Sequence, residues 1–171
     1  MLSLLAARKS IRLPAPNYLG DRFYFITLCS FHKRNVFTTP ARCQWLIAAL
    51  SNESAACRFV IHAFCLMPDH LHFLAQGLDS GSDLPRFVKT FKIKASRHYV
   101  QRMGKPLWQH SFFDHVLRPS ESVESFAWYI WLNPVRRRLV ATPEQYPYSG
   151  SFSGMRMPTA WRNFEFQPDW K

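Results

Sequence analysis

The sequence predicts a single α+β domain, and three observations carry that reading. Runs rich in aromatic and β-branched residues at 22–30, 58–63 and 70–76 have strand composition. Two other stretches, 40–56 and 84–103, repeat apolar residues at helical spacing. The second and third strand runs are separated by Met67-Pro68-Asp69, a turn or bulge signal, so they read as a hairpin. A chain of 171 residues fits one domain, 1–171, and is long enough to bury a real core.

In chain order, residues 1–20 hold Arg8, Lys9, Arg12, Pro14 and Pro16 and read as a basic arm, either draped or solvated. Arg22 to Ser30 (RFYFITLCS) is the first strand. Thr39-Pro40 opens a helix, with Thr39 as N-cap and Pro40 at the first helical position. Cys43, Leu46, Ile47 and Leu50 give that helix a core face. Arg58 to Ala63 is the second strand, 70–76 the third, and Gly77 to Asp83 a loop. A helix follows from Leu84 to about Met103, with Leu84, Phe87, Val88, Phe91 and Ala95 as its apolar stripe. Gly104-Lys105-Pro106 ends it. Residues 107–118 read as an extended segment and fourth strand. Ser120 is expected to cap the next helix, with Glu121 and Glu124 near its positive end and Val123, Ala127 and Ile130 facing the core. Residues 141–171 read as an irregular tail wrapped on the domain.

Charge points to partners. The 22 basic residues exceed the 11 acidic ones and give +11, which favours a polyanion, nucleic acid first. No apolar stretch approaches the ~20 residues of a membrane span, and the N-terminal apolar run is too short for a signal peptide. Cys29, Cys43, Cys57 and Cys65 show neither a C-x-x-C pair nor zinc-ribbon spacing. They read as reduced and mostly core, and a cytoplasmic location is expected, with no membrane partner. Arg86, Lys89, Lys92, Lys94 and Arg97 crowd one helix with no acid among them. They make either a solvated face or a phosphate-binding one, and the missing i,i+4 glutamates favour the second.

The chemistry centres on LMPDHLHFL, residues 66–74. On a strand, residues i and i+2 share a face, so His70 and His72 point one way and Leu71 and Phe73 the other. Two imidazoles on one face are a metal site or simply two satisfied histidines. Tyr129 and Asn133 stand four apart, one helical turn from each other. Pro134 biases Asn133 away from helical dihedrals and leaves its amide oxygen available. Two nitrogens, an amide oxygen and room for water or phosphate suit Mg²⁺ or Mn²⁺. A tyrosine hydroxyl beside a polarised phosphate can serve as nucleophile and give a phosphotyrosine link. The cations of the helix from Leu84 and those of Arg136, Arg137 and Arg138 are expected to flank one groove leading there.

Four runs in this order, LMPDHLHFL, PLWQHSFFDHVLR, YIWLNPVRRRLV and PEQYPYSG, resemble the REP-associated tyrosine transposases. These belong to the single-tyrosine HUH superfamily, named for its His–hydrophobe–His motif. The likeness spans roughly Tyr18 to Phe152. It implies a ferredoxin-like antiparallel sheet with helices packed on it. It implies that His70 and His72 bind a divalent metal, Mg²⁺ or Mn²⁺, that Asn133 is the third ligand, and that Tyr129 is the nucleophile. The implied substrate is single-stranded or hairpin DNA, often a repetitive extragenic palindrome, cut to a 5′-phosphotyrosine and a free 3′-OH. A monomer or a homodimer would serve. The chain departs from the family where a small residue and a glycine often follow NPVR, for it carries Arg137 and Arg138. The expected function is a metal-dependent DNA strand transferase; the alternative is a non-catalytic DNA-binding regulator of palindromic repeats. A water-using nuclease is disfavoured, since only Glu53, Asp69 and Asp79 lie between residues 22 and 82, and two-metal nucleases usually need clustered carboxylates.

Overall fold

In a computed structural model that describes residues 14–157 and 159–166, five strands form one antiparallel sheet. They are β1 (Phe23–Cys29), β2 (Phe59–Met67), β3 (His70–Gly77), β4 (Phe113–Val116) and β5 (Ser149–Gly150). The helices are α1 (Pro40–Ala56), α2 (Leu84–Met103), α3 (Val123–Trp131) and α4 (Asn133–Arg136). Strand order is β4-β1-β3-β2-β5. Two crossovers, β1-α1-β2 and β3-α2-β4, each step over a strand that fills the gap, which is the split βαβ of a ferredoxin-like fold. Arg8, Lys9 and Arg12 of the expected arm lie outside the described residues. From Ala15 to Tyr18 the chain makes a 3₁₀ turn, and the Tyr18 hydroxyl donates to Asp114 Oδ2 at 2.6 Å.

The sheet separates two apolar layers. Tyr24, Ile26 and Leu28 of β1 and Leu71, Phe73 and Ala75 of β3 pack under α1 and α2. Phe25 of β1, Leu74 of β3 and Cys65 and Met67 of β2 pack under α3. The side-chain alternation of β2 changes phase midway. Phe59 and Ile61 face α1 and α2, and so do Phe64 and Leu66 beyond a register shift between Ile61 and Ala63. One extra residue reverses the alternation, as a bulge must when side-chain period is two. That bulge masks the strand in the sequence: β2 runs to Met67, four residues past the expected end, and the bulge lies near His62 rather than at 67–69. Pro68 and Asp69 make the turn into β3.

Helix α2 has the expected bounds. The Asp83 side chain accepts from the Arg86 amide at its start, and Gly104 closes it at φ 61°. Thr39 occupies the N-cap of α1, but its hydroxyl makes no capping bond. The cap of α3 is Ser122 and not Ser120: Ser122 accepts from the Ser125 amide at 3.1 Å. Glu121 is not in the helix; it accepts from His115 Nε2 at 2.9 Å and from the Arg118 amide at 2.6 Å. The fourth strand is only four residues long, Trp108 contributing an isolated bridge to Ser30. The tail is mostly irregular but supplies β5 against β2, and Tyr146 donates its hydroxyl to the Leu66 carbonyl at 2.8 Å.

Phe73 is fully buried between the sheet and Phe87 of α2. Phe73→Ala is expected to cost about 3–5 kcal/mol, read as a lower denaturant midpoint in equilibrium unfolding.

Candidate active site

Strand β3 lies between β1 and β2, and this places the two histidines. His70 faces Cys29 of β1 and Met67 of β2 in register; His72 faces Thr27 and Cys65. Leu71 and Phe73 are fully buried in the layer under α1 and α2, so the imidazoles emerge together on the α3 side. Their ring centroids are 4.5 Å apart.

Each ring is held by its Nδ1. The Asp69 carboxylate accepts from His70 Nδ1 at 2.6 Å, and Thr27 Oγ1 bonds His72 Nδ1 at 2.7 Å. A carboxylate on Nδ1 fixes the tautomer with its lone pair on Nε2, which is how metal-bound imidazoles are oriented. Burial pushes the His70 pKa below its usual value; Asp69 opposes that shift, and Arg137 and Lys33 add to it. The Phe25 ring stacks on His72, with centroids 5.6 Å apart.

Helices α3 and α4 bring the other half. Tyr129 is 7 % exposed, and its ring centroid lies 6.3 Å from that of His72. Phe25 and Phe166 meet the tyrosine ring edge-on. Arg136 sits over its face, with Cζ 4.2 Å from the centroid, and donates to the Tyr129 carbonyl at 2.5 Å. One residue, Leu132, joins α3 to α4, so Asn133 begins a new turn instead of extending the first. Its Nδ2 donates to the carbonyls of Tyr129 and Ile130 at 3.0 and 3.4 Å, which fixes the amide plane and leaves Oδ1 as the side available to a ligand.

His70, His72, Tyr129 and Asn133 all line one cleft of ≈ 420 Å³. Lys33, Arg136 and Arg137 line it too, against the single carboxylate of Asp69. Asp69 directly precedes the histidine pair in the sequence, whereas Thr27, Cys29 and Lys33 carry no site signal there. Thr27 and Cys29 come from β1 by strand register, which no local motif reveals. Lys33 follows a turn in which both His32 (φ 56°) and Lys33 (φ 52°) are left-handed, an uncommon conformation for non-glycine residues. Ser30 Oγ, donating to the Arg34 carbonyl, and Arg34 Nε, donating to the Phe31 carbonyl, tie that turn down.

The three arginines after Pro134 separate. Arg136 and Arg137 are at the cleft, and Arg138 takes the left-handed position that ends α4, at φ 57°. The Leu139 amide bonds the Pro134 carbonyl and the Arg138 amide bonds the Val135 carbonyl, both at 2.9 Å, a Schellman closure. The helix stop is therefore kept without a glycine. The cations of α2 lie elsewhere. Its apolar stripe packs against the opposite face of the sheet, so α2 and the 136–138 run do not flank one groove, contrary to expectation. Lys92 Nζ donates to the Gln109 and His110 carbonyls, and Lys94 pairs with Glu53 at 2.5 Å. Arg86, Lys89 and Arg97 are exposed.

A split-βαβ sheet with two histidines on its central strand, facing a tyrosine on a helix behind it, defines the class as a HUH-type transposase. The family described as "Transposase IS200 like" matches residues 22–131, and the chain belongs to that family. A REP-associated tyrosine transposase of Escherichia coli K12 is 26 % identical over 136 residues, covering 77 % of this chain and 78 % of the relative. An uncharacterized protein of Haemophilus influenzae is 25 % identical over 160 residues, covering 75 % of this chain and 88 % of that one. A solved REP-associated tyrosine transposase bound to a REP hairpin shares the fold at TM-score 0.70, with 22 % identity and 83 % and 82 % of the two chains covered.

Arg138→Gly is expected to raise unfolding free energy by about 0.5–1 kcal/mol, since glycine takes a left-handed dihedral without a Cβ penalty. Thermal or chemical unfolding checks it. His70 titrates lower folded than unfolded, so its contribution to stability is present above the unfolded value of ~6.5 and is lost as pH falls through the folded one. Stability measured across that acid range should fall less steeply in His70→Gln than in the unsubstituted protein.

Proposed function

We propose that this transposase is a metal-dependent DNA strand transferase that cuts single-stranded or hairpin DNA through Tyr129. One observation supports the reading above others: the anchored histidine pair, Tyr129 and three cations line the same cleft. The donor set fits a divalent cation, since His70 and His72 can each offer Nε2 and Asn133 can offer Oδ1. Among the described residues no group of three His, Cys, Asp or Glu is placed to hold a metal, so a site here would need the Asn133 oxygen as its third donor. Bound there, Mg²⁺ or Mn²⁺ would supply Lewis-acid polarisation of a phosphate oxygen.

The chain's own residues do the rest. Lys33 and Arg137 at the cleft wall hold phosphate oxygens of the DNA backbone. Arg136, stacked on the Tyr129 ring and bonded to its carbonyl, fixes the ring. The Tyr129 oxygen forms a bond to phosphorus, the bond from phosphorus to the 3′ oxygen breaks, and that oxygen takes up a proton. The products are a 5′-phosphotyrosine link and a free 3′-OH, and reversal on a new 3′-OH rejoins DNA. Hairpin DNA is the favoured substrate because the fold neighbour was solved on a REP hairpin.

Labelled hairpin DNA with Mn²⁺ on a denaturing gel tests this. The unsubstituted protein should give a covalent adduct. Tyr129→Phe should give neither adduct nor cut strand, while DNA affinity changes by less than about tenfold, the weight of one hydrogen bond. His70→Ala should abolish the adduct as well. Cleavage by Tyr129→Phe would sink the tyrosine mechanism, and no cleavage by any protein would leave DNA binding alone.

A further inference from the structure

On the face of the sheet away from the histidines, α1 and α2 enclose a second pocket of ≈ 360 Å³. Its size falls in the ~300–1,000 Å³ range of ligand sites. Arg42 and Trp45 come from α1, and His98, Tyr99, Arg102 and Met103 from α2. No carboxylate lines it. Trp45 is 37 % exposed and Met103 49 %, so a tryptophan and a thioether stand open to solvent beside two guanidinium groups.

These side chains are held in place. The Arg42 guanidinium lies over the Tyr99 ring, 5.6 Å from the centroid, and donates to the Val36 carbonyl. His98 meets Trp45 edge-on, with centroids 5.8 Å apart. Lys94, His98 and Arg102 follow one another at four-residue spacing and therefore share a side of α2. Lys94 is bound to Glu53, whereas Arg86, Lys89, Arg97 and Arg102 make no ion pair among the described residues.

We propose that this pocket is a second nucleic-acid site, which stacks an unpaired base on Trp45 while Arg102 at its rim holds a phosphate of the strand. Planar aromatic surface beside fixed cations is the chemistry of single-strand binding. A pocket for an acidic peptide would need the cations but not the exposed indole. The inference rests on the DNA reading above but involves none of the residues of the cleft.

The test is binding of a labelled oligothymidine strand and of an abasic strand of equal length. The proteins are the unsubstituted chain, Trp45→Ala, Trp45→Phe and Arg102→Gln, each checked for folding by thermal unfolding. Trp45→Ala should weaken oligothymidine binding roughly five- to a hundredfold, the span of one lost base stack. Trp45→Phe should restore most of it. The abasic strand should be insensitive to Trp45→Ala yet weakened by Arg102→Gln. Unchanged oligothymidine affinity in Trp45→Ala overturns the proposal, as does equal loss on the abasic strand. An acidic polyglutamate that displaces the abasic and oligothymidine strands alike, with no Trp45 dependence, assigns the pocket to protein instead and also overturns it. Tyr129 adduct formation is read in parallel. Its absence with Trp45 dependence intact removes the strand-transfer reading alone; its presence without Trp45 dependence removes only the pocket.

Discussion

The two-residue alternation of β3 is the constraint on which the candidate site depends. Both edges of the strand are paired, so its register cannot drift without breaking the ladders to β1 and β2 together. Leu71 and Phe73 then anchor it by burial, each worth about 1.5–3 kcal/mol. A slip by one residue would turn those two side chains toward the cleft and bury two imidazoles among hydrocarbon. The core side of the strand thus enforces the geometry of its polar side. Asp69 and Thr27 need only set the ring rotation, and each is delivered by the same pairing, one from the turn and one from β1.

The sheet also divides labour between its faces. On the α3 side a short run of residues around Asn133 bends the chain, so that Tyr129, Asn133, Arg136 and Arg137 reach one cleft from two helices. On the other side α2 runs for 20 residues with a clean apolar stripe and an exposed basic back. Charge on the two faces would draw the same polyanion to opposite surfaces, which suits a long flexible substrate better than a small one.

What was legible in the sequence was whatever is local. The bounds of α2 follow from Asp83 and Gly104, and the shared face of His70 and His72 follows from spacing alone. What was illegible depends on distant partners. The extra residue near His62 hid the second half of β2 by reversing its pattern. Ser120 and Ser122 are equivalent as candidate caps until Glu121 is seen to turn back onto His115. The two-residue β5 exists only because β2 offers it an edge. The face on which α2 packs is a property of topology, and so the expectation of one shared basic groove failed. Thr27, Cys29 and Lys33 entered the site through register and a strained turn, neither of which has a motif. Arg138 in a glycine's place shows the converse: a departure in sequence that leaves the backbone closure unchanged.

The interleaved strand order has a consequence for how the chain assembles. The β2–β3 hairpin is joined by two turn residues and can zip locally, whereas β1 must wait for β3, whose residues pair with it across 41 to 53 positions, from Cys29 with His70 to Phe23 with Gln76. Contacts of that separation slow folding relative to local ones. During synthesis the hairpin carrying both histidines emerges and closes well before α3 leaves the ribosome. The imidazole pair is therefore ordered early, and the α3–α4 segment that carries Tyr129, Asn133, Arg136 and Arg137 is laid on last.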